Sequence, residues 1–289
     1  MDTQSGLRSS RPATSRSDQE LNRERANRRL LLVVWLAALP LLLYLIAPIV
    51  GLILRTPLKT YQCCFEAMHA LRLSLVTTAI ALALSLLIGT PMAYLLAHYE
   101  FRGKSVVDTL VDLPLVLPPV AAGFALLLLY GRPGLGAFLM QHDIRLTYTT
   151  AAVVMSQVFI ASPFYVKQAR AGFEAVPASL RLASATLGAG PLRTFFRVTV
   201  PLARNSLIAG AVMTWARALG EFGATLIFAG SFAGRTETMP LAIYSSVSSA
   251  EPQALNTAIA LSVVLVVTSF AVILIAKRLA ARTIFVVTT

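Results

Sequence analysis

The sequence predicts an all-α, polytopic membrane protein of about six transmembrane helices, on three observations: long uncharged apolar runs, few charges, and an uneven distribution of arginine and lysine. Of the 289 residues, 56% are hydrophobic and only 13% charged, and the mean hydropathy is +0.72. Soluble domains are roughly 45–50% apolar, so a water-soluble core is not the natural reading. Residues 31–54, LLVVWLAALPLLLYLIAPIVGLIL, carry no charge. At about 1.5 Å per helical residue such a run crosses a hydrocarbon core of about 30 Å. Further uncharged runs over 73–99, 113–131, 146–166 and 252–276 give spans of about 70–99, 108–131, 146–167 and 252–276. Residues 202–230 make the remaining span, apolar except for Arg204 near one end and the interior Arg217 and Glu221.

The net charge of +12 and a pI near 10.4 raise the possibility of nucleic-acid binding, because clustered basic residues neutralise phosphates. Their placement argues against nucleic acid as a partner. Residues 1–29 hold seven arginines among polar residues and four acids, with little to pack. The tail is therefore expected to be disordered, and its default partner is anionic lipid. An arginine-rich arm before an apolar run also suits a secretory signal, but residues 31–54 exceed the roughly 7–15 residues of such a core, which favours a retained anchor. Residues 30–282 form the transmembrane domain, and 283–289 a C-terminal tail.

Short loops rich in lysine and arginine stay on the cytoplasmic side. With both termini inside, the cytoplasmic segments hold eighteen such residues and the outer loops five: Arg55, Lys59, Arg132, Arg145 and Arg235. This predicts a multi-pass protein of the cell inner (plasma) membrane. Cys63 and Cys64 lack the spacing of a metal site; adjacent cysteines rarely bond each other, which leaves pairing with a symmetry mate as the alternative to inertness.

The longest interior connection, 168–201, alternates apolar and basic residues. Leu180, Ala183 and Leu187 fall at helical spacing, Gly188, Gly190 and Pro191 interrupt, and a second short helix is expected over 192–198, leading to Pro201. Two readings stand: a compact knob for a cytoplasmic partner, or a linker resting on lipid headgroups through Arg181, Arg193 and Arg197.

Here the sequence resembles the permease subunits of bacterial ABC importers, whose signature is roughly Glu-Ala-Ala, three residues, Gly, and a later hydrophobic-x-hydrophobic-Pro. In 182–201, LASATLGAGPLRTFFRVTVP, Gly188 matches the family glycine, and Val198, Val200 and Pro201 the downstream positions. Leu182 replaces the family glutamate, Ala183 is retained and Ser184 replaces the second alanine. Residues 113–139, 217–230 and 239–247 are similar to the molybdate importer permeases, with sulfate and tungstate permeases next; the resemblance runs from about residue 70 to 280. Phe222, where sulfate-type relatives are expected to carry tyrosine, and the Leu-Ala-Ile-Tyr stretch favour molybdate.

The resemblance implies a type I ABC importer permease fold and a homodimeric, channel-forming subunit for molybdate import. Its implied partners are an ABC ATPase dimer gripping the knob and a periplasmic or extracellular molybdate-binding protein docking outside. ATP and magnesium would be bound by the partner ATPase, leaving no cofactor in this chain. The coupling candidates are Glu174, Leu182, Ala183, Ser184, Leu187, Gly188, Ala189, Pro191, Phe195, Phe196 and Pro201. Leu187, Phe195 and Phe196 are the expected apolar anchors, because partner interfaces depend on a few large buried side chains.

Candidates for the pathway or gate are Pro114, Pro118, Pro119, Arg217, Glu221 and Phe222. The prolines remove backbone donors and disfavour helix in the residue before them, so the chain should break there. Broken backbone at membrane depth lines protein or water, although ordinary helix entry with proline in the first turn gives a similar pattern. Arg217 and Glu221, one turn apart, are each other's expected partner. An arginine neutralised in this way suits bracing a gate or interface better than binding an anion; direct substrate contact is the alternative. Residues 236–250 either re-enter the membrane edge or form a surface helix. His69, His98 and His142 belong to no catalytic motif, and neither a Gly-x-Ser-x-Gly nor a Gly-Lys-Ser/Thr phosphate loop occurs; His98 reads as an interfacial residue at a helix end. A membrane-embedded enzyme lacks a nucleophile with a base, and a secondary transporter would be expected to show internal repeats and acidic residues in several spans.

Overall fold

The computed structural model describes residues 14–56, 64–132 and 134–285. All its regular elements are helices, with no strand among the described residues. Two compact units divide at residue 55.

The first unit contains α1, Thr14–Leu54, whose residues 30–54 form an apolar run long enough to span a bilayer. Its start at Thr14 corrects the expectation of disorder over 14–29. No glycine or proline occurs between Thr14 and Leu39, and the segment is rich in Gln, Glu, Arg, Leu and Ala, which favour helix. A helix nucleated in the apolar run propagates outward at little cost per residue. Residues 1–13 lie outside the described residues, as does Cys63, and with it the expectation about the cysteine pair.

The second unit is built from α2 (Cys64–His98), α3 (Lys104–Val116), α4 (Pro119–Tyr130), α5 (Leu135–Gln141), α6 (Thr150–Glu174), α7 (Ala178–Thr186), α8 (Pro191–Thr194), α9 (Val200–Leu219), α10 (Gly223–Ala229), α11 (Met239–Ser248) and α12 (Ala254–Phe285). A π-helical turn, Phe195–Thr199, joins α8 to α9 without interruption. The second short helix expected over 192–198 is thus the start of a longer one, with Pro201 in its interior just after the π turn, where the missing donor leaves a carbonyl of the preceding turn without its usual partner.

α6 is the centre of the unit. More than half of its most apolar stretch is buried, and it packs on α2, α9 and α10. Small residues allow this: Gly172 leaves room for Ser206 of α9. Polar side chains stitch the helices, with the Thr90 and Tyr165 hydroxyls 2.7 Å apart and Gln157 Nε2 donating to Thr77 Oγ1 at 3.2 Å. Such bonds suit apolar surroundings, where packing and interhelical hydrogen bonds hold helices together. α6 runs on to Glu174, so residues 168–174, expected in the loop, belong to the helix.

Four helical segments are long and apolar enough to cross a membrane: 30–54, 68–98, 150–174 and 254–276. A fifth is formed if α3 and α4, bent by 116° at their junction, are one broken span. The sixth expected span, 202–230, is divided into α9 and α10. Arg204, Asn205 and Arg217 lower the apolar character of α9, and Gly220 ends it. α11, expected at the membrane edge or surface, is packed into the unit through Met239, Leu241 and Ala242 against α2 and α12. α12 continues beyond the expected end of its span to Phe285, leaving 286–289 outside the described residues.

Candidate functional site: a crossing of two broken helices and an exposed helical tip

The first break separates α3 from α4. Leu117 and Pro118 are extended, with ψ of 132° at both, as required of residues that precede a proline. Pro119 then opens α4. Pro114 sits away from this point, inside α3, where it lines a groove of about 460 Å³ together with α2 and α6.

The second break separates α9 from α10 at Gly220–Phe222. The two breaks meet: a Cβ on Gly223 would lie 2.9 Å from Pro119 Cβ, and one on Gly123 of α4 would lie 2.6 Å from the Ala224 carbonyl oxygen. Only glycine permits this approach of α4 and α10.

Arg217 and Glu221 hold the second break. Arg217 Nη2 lies 2.7 Å from Glu221 Oε2, with the carboxylate side chain 1% exposed and the guanidinium 29%. The pair forms as expected from the spacing, although the helix ends between its members. Glu221 also does what the spacing did not suggest. Its Oε1 accepts a hydrogen bond from Ala224 N–H at 2.9 Å, satisfying a donor in the first turn of α10. Breaking a buried pair costs about 3–5 kcal/mol because it leaves an uncompensated charge. Phe222, next along, meets the ring of Tyr244 of α11 in a tilted contact at 5.0 Å.

The knob lies at the far end of α6. α7 ends in a Schellman arrangement: Gly188, at φ +78°, donates to Ala185 O at 2.9 Å, and Ala189 N donates to Ser184 O at 3.1 Å. The family glycine thus occupies the left-handed position that favours a residue without Cβ. The Ser184 and Thr194 hydroxyls lie 2.9 Å apart and tie α7 to α8. Leu182, Leu187, Leu192 and Phe196 face outward, with Leu187 87% and Phe196 65% exposed.

Phe195, expected beside Phe196 as an anchor, is instead packed inward against Tyr94 (4.9 Å) and Phe173 (6.0 Å). Consecutive residues on a helix point about 100° apart, so one ring packs inward while the other, in edge contact with it at 5.0 Å, stays outside. Glu174 does not face outward alone: it accepts from Arg170 at 2.7 Å. Ala183 and Pro191 are exposed, Ala189 is half-buried, and Pro201 is exposed at the start of α9. His98 ends α2, stacked 4.6 Å from Tyr94.

Sequence reasoning missed one set of side chains here. Asp108 and Asp112 of α3 pair with Arg170 (2.6 Å) and Lys167 (2.8 Å) of α6. None of α3 is buried, so these pairs are a main tie to its neighbour. Two acids four apart fell on one predicted helix, but Arg170 fell in the predicted loop, so the matching pair of bases three apart on one helix face could not be read from the sequence. Among the described residues no cluster of His, Cys, Asp or Glu is arranged to hold a metal ion.

A membrane-embedded bundle with broken helices at its centre and an apolar tip at one end is the architecture of a transporter's integral subunit. Residues 85–285 match the family described as binding-protein-dependent transport system inner membrane component, and the chain belongs to that family, the permease subunits of ABC importers. It is 39% identical over 245 residues to the molybdenum transport system permease protein ModB of Mycobacterium tuberculosis, covering 83% of this chain and 91% of that protein. It is 42% identical over 175 residues to the probable transport system permease protein NifC of Clostridium pasteurianum, covering 60% of this chain and 61% of that one. The fold matches a chain of a bacterial ABC transporter involved in the import of the acidic polysaccharide alginate, with a TM-score of 0.67 at 16% identity, over 92% of this chain and 99% of the other.

Proposed function

We propose that the chain is the membrane-spanning subunit of an ATP-driven molybdate importer, non-catalytic itself and working as a homodimer. Family membership supports the transporter class, and the likeness to ModB along nearly that protein's whole length supports the substrate. In this reading both termini are cytoplasmic, the ATPase dimer seats on the α7–α8 knob, and a molybdate-binding protein docks on the opposite side.

The observation that carries the mechanism is the knob. Leu187, Leu192 and Phe196 are 87%, 76% and 65% exposed, on a tip held rigid by the Gly188 turn and the Ser184–Thr194 contact. Large apolar groups on a rigid tip are what a partner's pocket takes up. Glu174, Leu182, Ala183, Ala189, Pro191 and Pro201 flank the contact, and Phe195 supports it from inside. At the crossing, the broken backbone around Pro118, Pro119, Glu221 and Phe222 supports a position beside the pathway, since non-helical backbone at membrane depth lines protein or water. Arg217, neutralised by Glu221, braces this region and leaves the anion to other groups.

The test is uptake of radiolabelled molybdate by proteoliposomes holding this chain with its cognate ATPase and binding protein. Uptake that needs all three components and ATP, and that excess sulfate does not suppress, is the expected result. Suppression by sulfate reassigns the substrate to sulfate, and uptake by this chain alone overturns the ABC reading.

A further inference from the structure

At the end of the bundle opposite the knob, three exposed arginines line one pocket. Arg132 follows α4, Arg145 lies in the loop between α5 and α6, and Arg235 lies between α10 and α11; all three line a space of about 540 Å³. None of the three pairs with a carboxylate among the described residues. Asp143, the acid nearest Arg145 in sequence, is exposed and is not part of the lining.

The loop carrying Arg145 is fixed in place. Asp143 and Tyr148 have φ of +57° and +59°, a conformation that bulky residues rarely adopt and that surrounding structure must enforce. Tyr148 is held by its N–H donating to Phe228 O of α10 at 3.3 Å and by an edge contact with Phe232 at 6.1 Å. Thr150, at the start of α6, donates from its hydroxyl to Arg235 O at 2.9 Å and so ties the third arginine's backbone to the same place. Thr147 and Tyr148 line the pocket just before Thr149, the N-cap of the 25-residue α6.

We propose that this pocket binds a tetrahedral oxyanion. Guanidinium groups present planar pairs of donors that match the oxygens of such an ion, and three cations without a counter-charge supply the field that a dianion needs. The proposal rests on the importer reading, in which this side faces outward and the ion arrives there from the binding protein. It makes the permease an acceptor for the ion, with the neutralised Arg217 left out of that step. The same chemistry is offered by two sources: the free transported ion, and the phosphate of a lipid headgroup.

The experiment uses the permease–ATPase complex in nanodiscs, without binding protein, titrated calorimetrically with sodium tungstate and sodium molybdate. One set of discs is pure phosphatidylcholine and the other contains phosphatidylglycerol. Saturable binding in phosphatidylcholine is expected, weakened about tenfold or more by Arg145→Gln or Arg235→Gln, since a charge-assisted hydrogen bond is lost, and weakened further at high salt. Arg145→Lys keeps the charge and should recover part of the affinity. Oxyanion binding that phosphatidylglycerol competes away in the wild type, but not in the glutamine variants, assigns a headgroup as the resident ligand. No tungstate or molybdate binding, together with no arginine-dependent lipid effect, overturns the proposal. So does a result in which the variants lose only affinity for the binding protein. ATPase co-purification and the thermal midpoint, unchanged in the variants, exclude misfolding. ATP-dependent uptake by the wild type, measured in parallel, reports on the importer reading separately.

Discussion

At the α4–α10 crossing and at the α7–α8 tip, helices stop in opposite circumstances. The crossing is closed: Ala122, Ala224 and Glu221 are almost fully buried, and Gly123 and Gly223 leave no room for a methyl group. The tip is open, with leucines and a phenylalanine turned away from the protein. Both ends use a non-standard turn, but the crossing satisfies its freed backbone donor with a charged side chain, while the tip satisfies its carbonyls with its own backbone. A buried break depends on a specific partner; an exposed one can close on itself and leave its side chains for another protein.

The comparison is broken most severely at Glu221. Glu221→Ala removes both the partner of Arg217 and the acceptor for Ala224 N–H, and is expected to cost about 3–5 kcal/mol. A thermal melt of the detergent-solubilised complex should show an early transition or failed assembly, whereas Glu221→Gln, which keeps an acceptor, should melt between the two. Next comes Gly123→Val, which drives side-chain carbons into the Ala224 backbone. Overpacking of this kind costs about 1–3 kcal/mol, and an unchanged melting curve would contradict the close approach described above.

At the tip, the effect should move from folding to association. Leu187→Asp with Phe196→Ala is expected to leave the melt within about 0.5 kcal/mol of wild type, as surface changes do, while abolishing co-purification of the ATPase. Phe195→Ala should do the reverse, because that ring packs on Tyr94 and Phe173. The smallest effect is expected for Asp112→Asn, since its pairing with Lys167 is half open to solvent. Such exposed pairs contribute about 0–1 kcal/mol, and that contribution should fade as salt is raised.

The contrast also marks what could be read in advance. Apolar runs located the helices of the bundle, because burial in lipid demands uninterrupted apolar character whatever the packing. The prolines at 118 and 119 signalled the first break, because their backbone restriction is local. The charged pair was legible from its spacing, but Glu221's second role was not: capping α10 requires knowing that α9 stops at Gly220, and the glycine alone leaves that open. Arg217 and Arg204 marked 202–230 as less apolar, yet its otherwise apolar character favoured an unbroken span. Phe195 and Phe196 were indistinguishable by type, and only the turn of the helix assigned one inward and one outward. The three arginines of the opposite pocket are spread over more than a hundred positions in sequence, so nothing short of the fold could place them together.

The π turn at Phe195–Thr199 has a mechanical consequence. From Pro191 to Leu219 the helical backbone continues for 29 residues with Pro201 inside it, a path of about 43 Å at about 1.5 Å per residue. Its lower end is the tip, and its upper end carries Arg217, clasping the carboxylate that starts α10. A π turn followed by a proline near the foot of such a helix is a place where it can bend. A displacement of Leu192 or Phe196 is therefore expected to reach the ion pair at the other end of this helix through a joint, not along a rigid shaft.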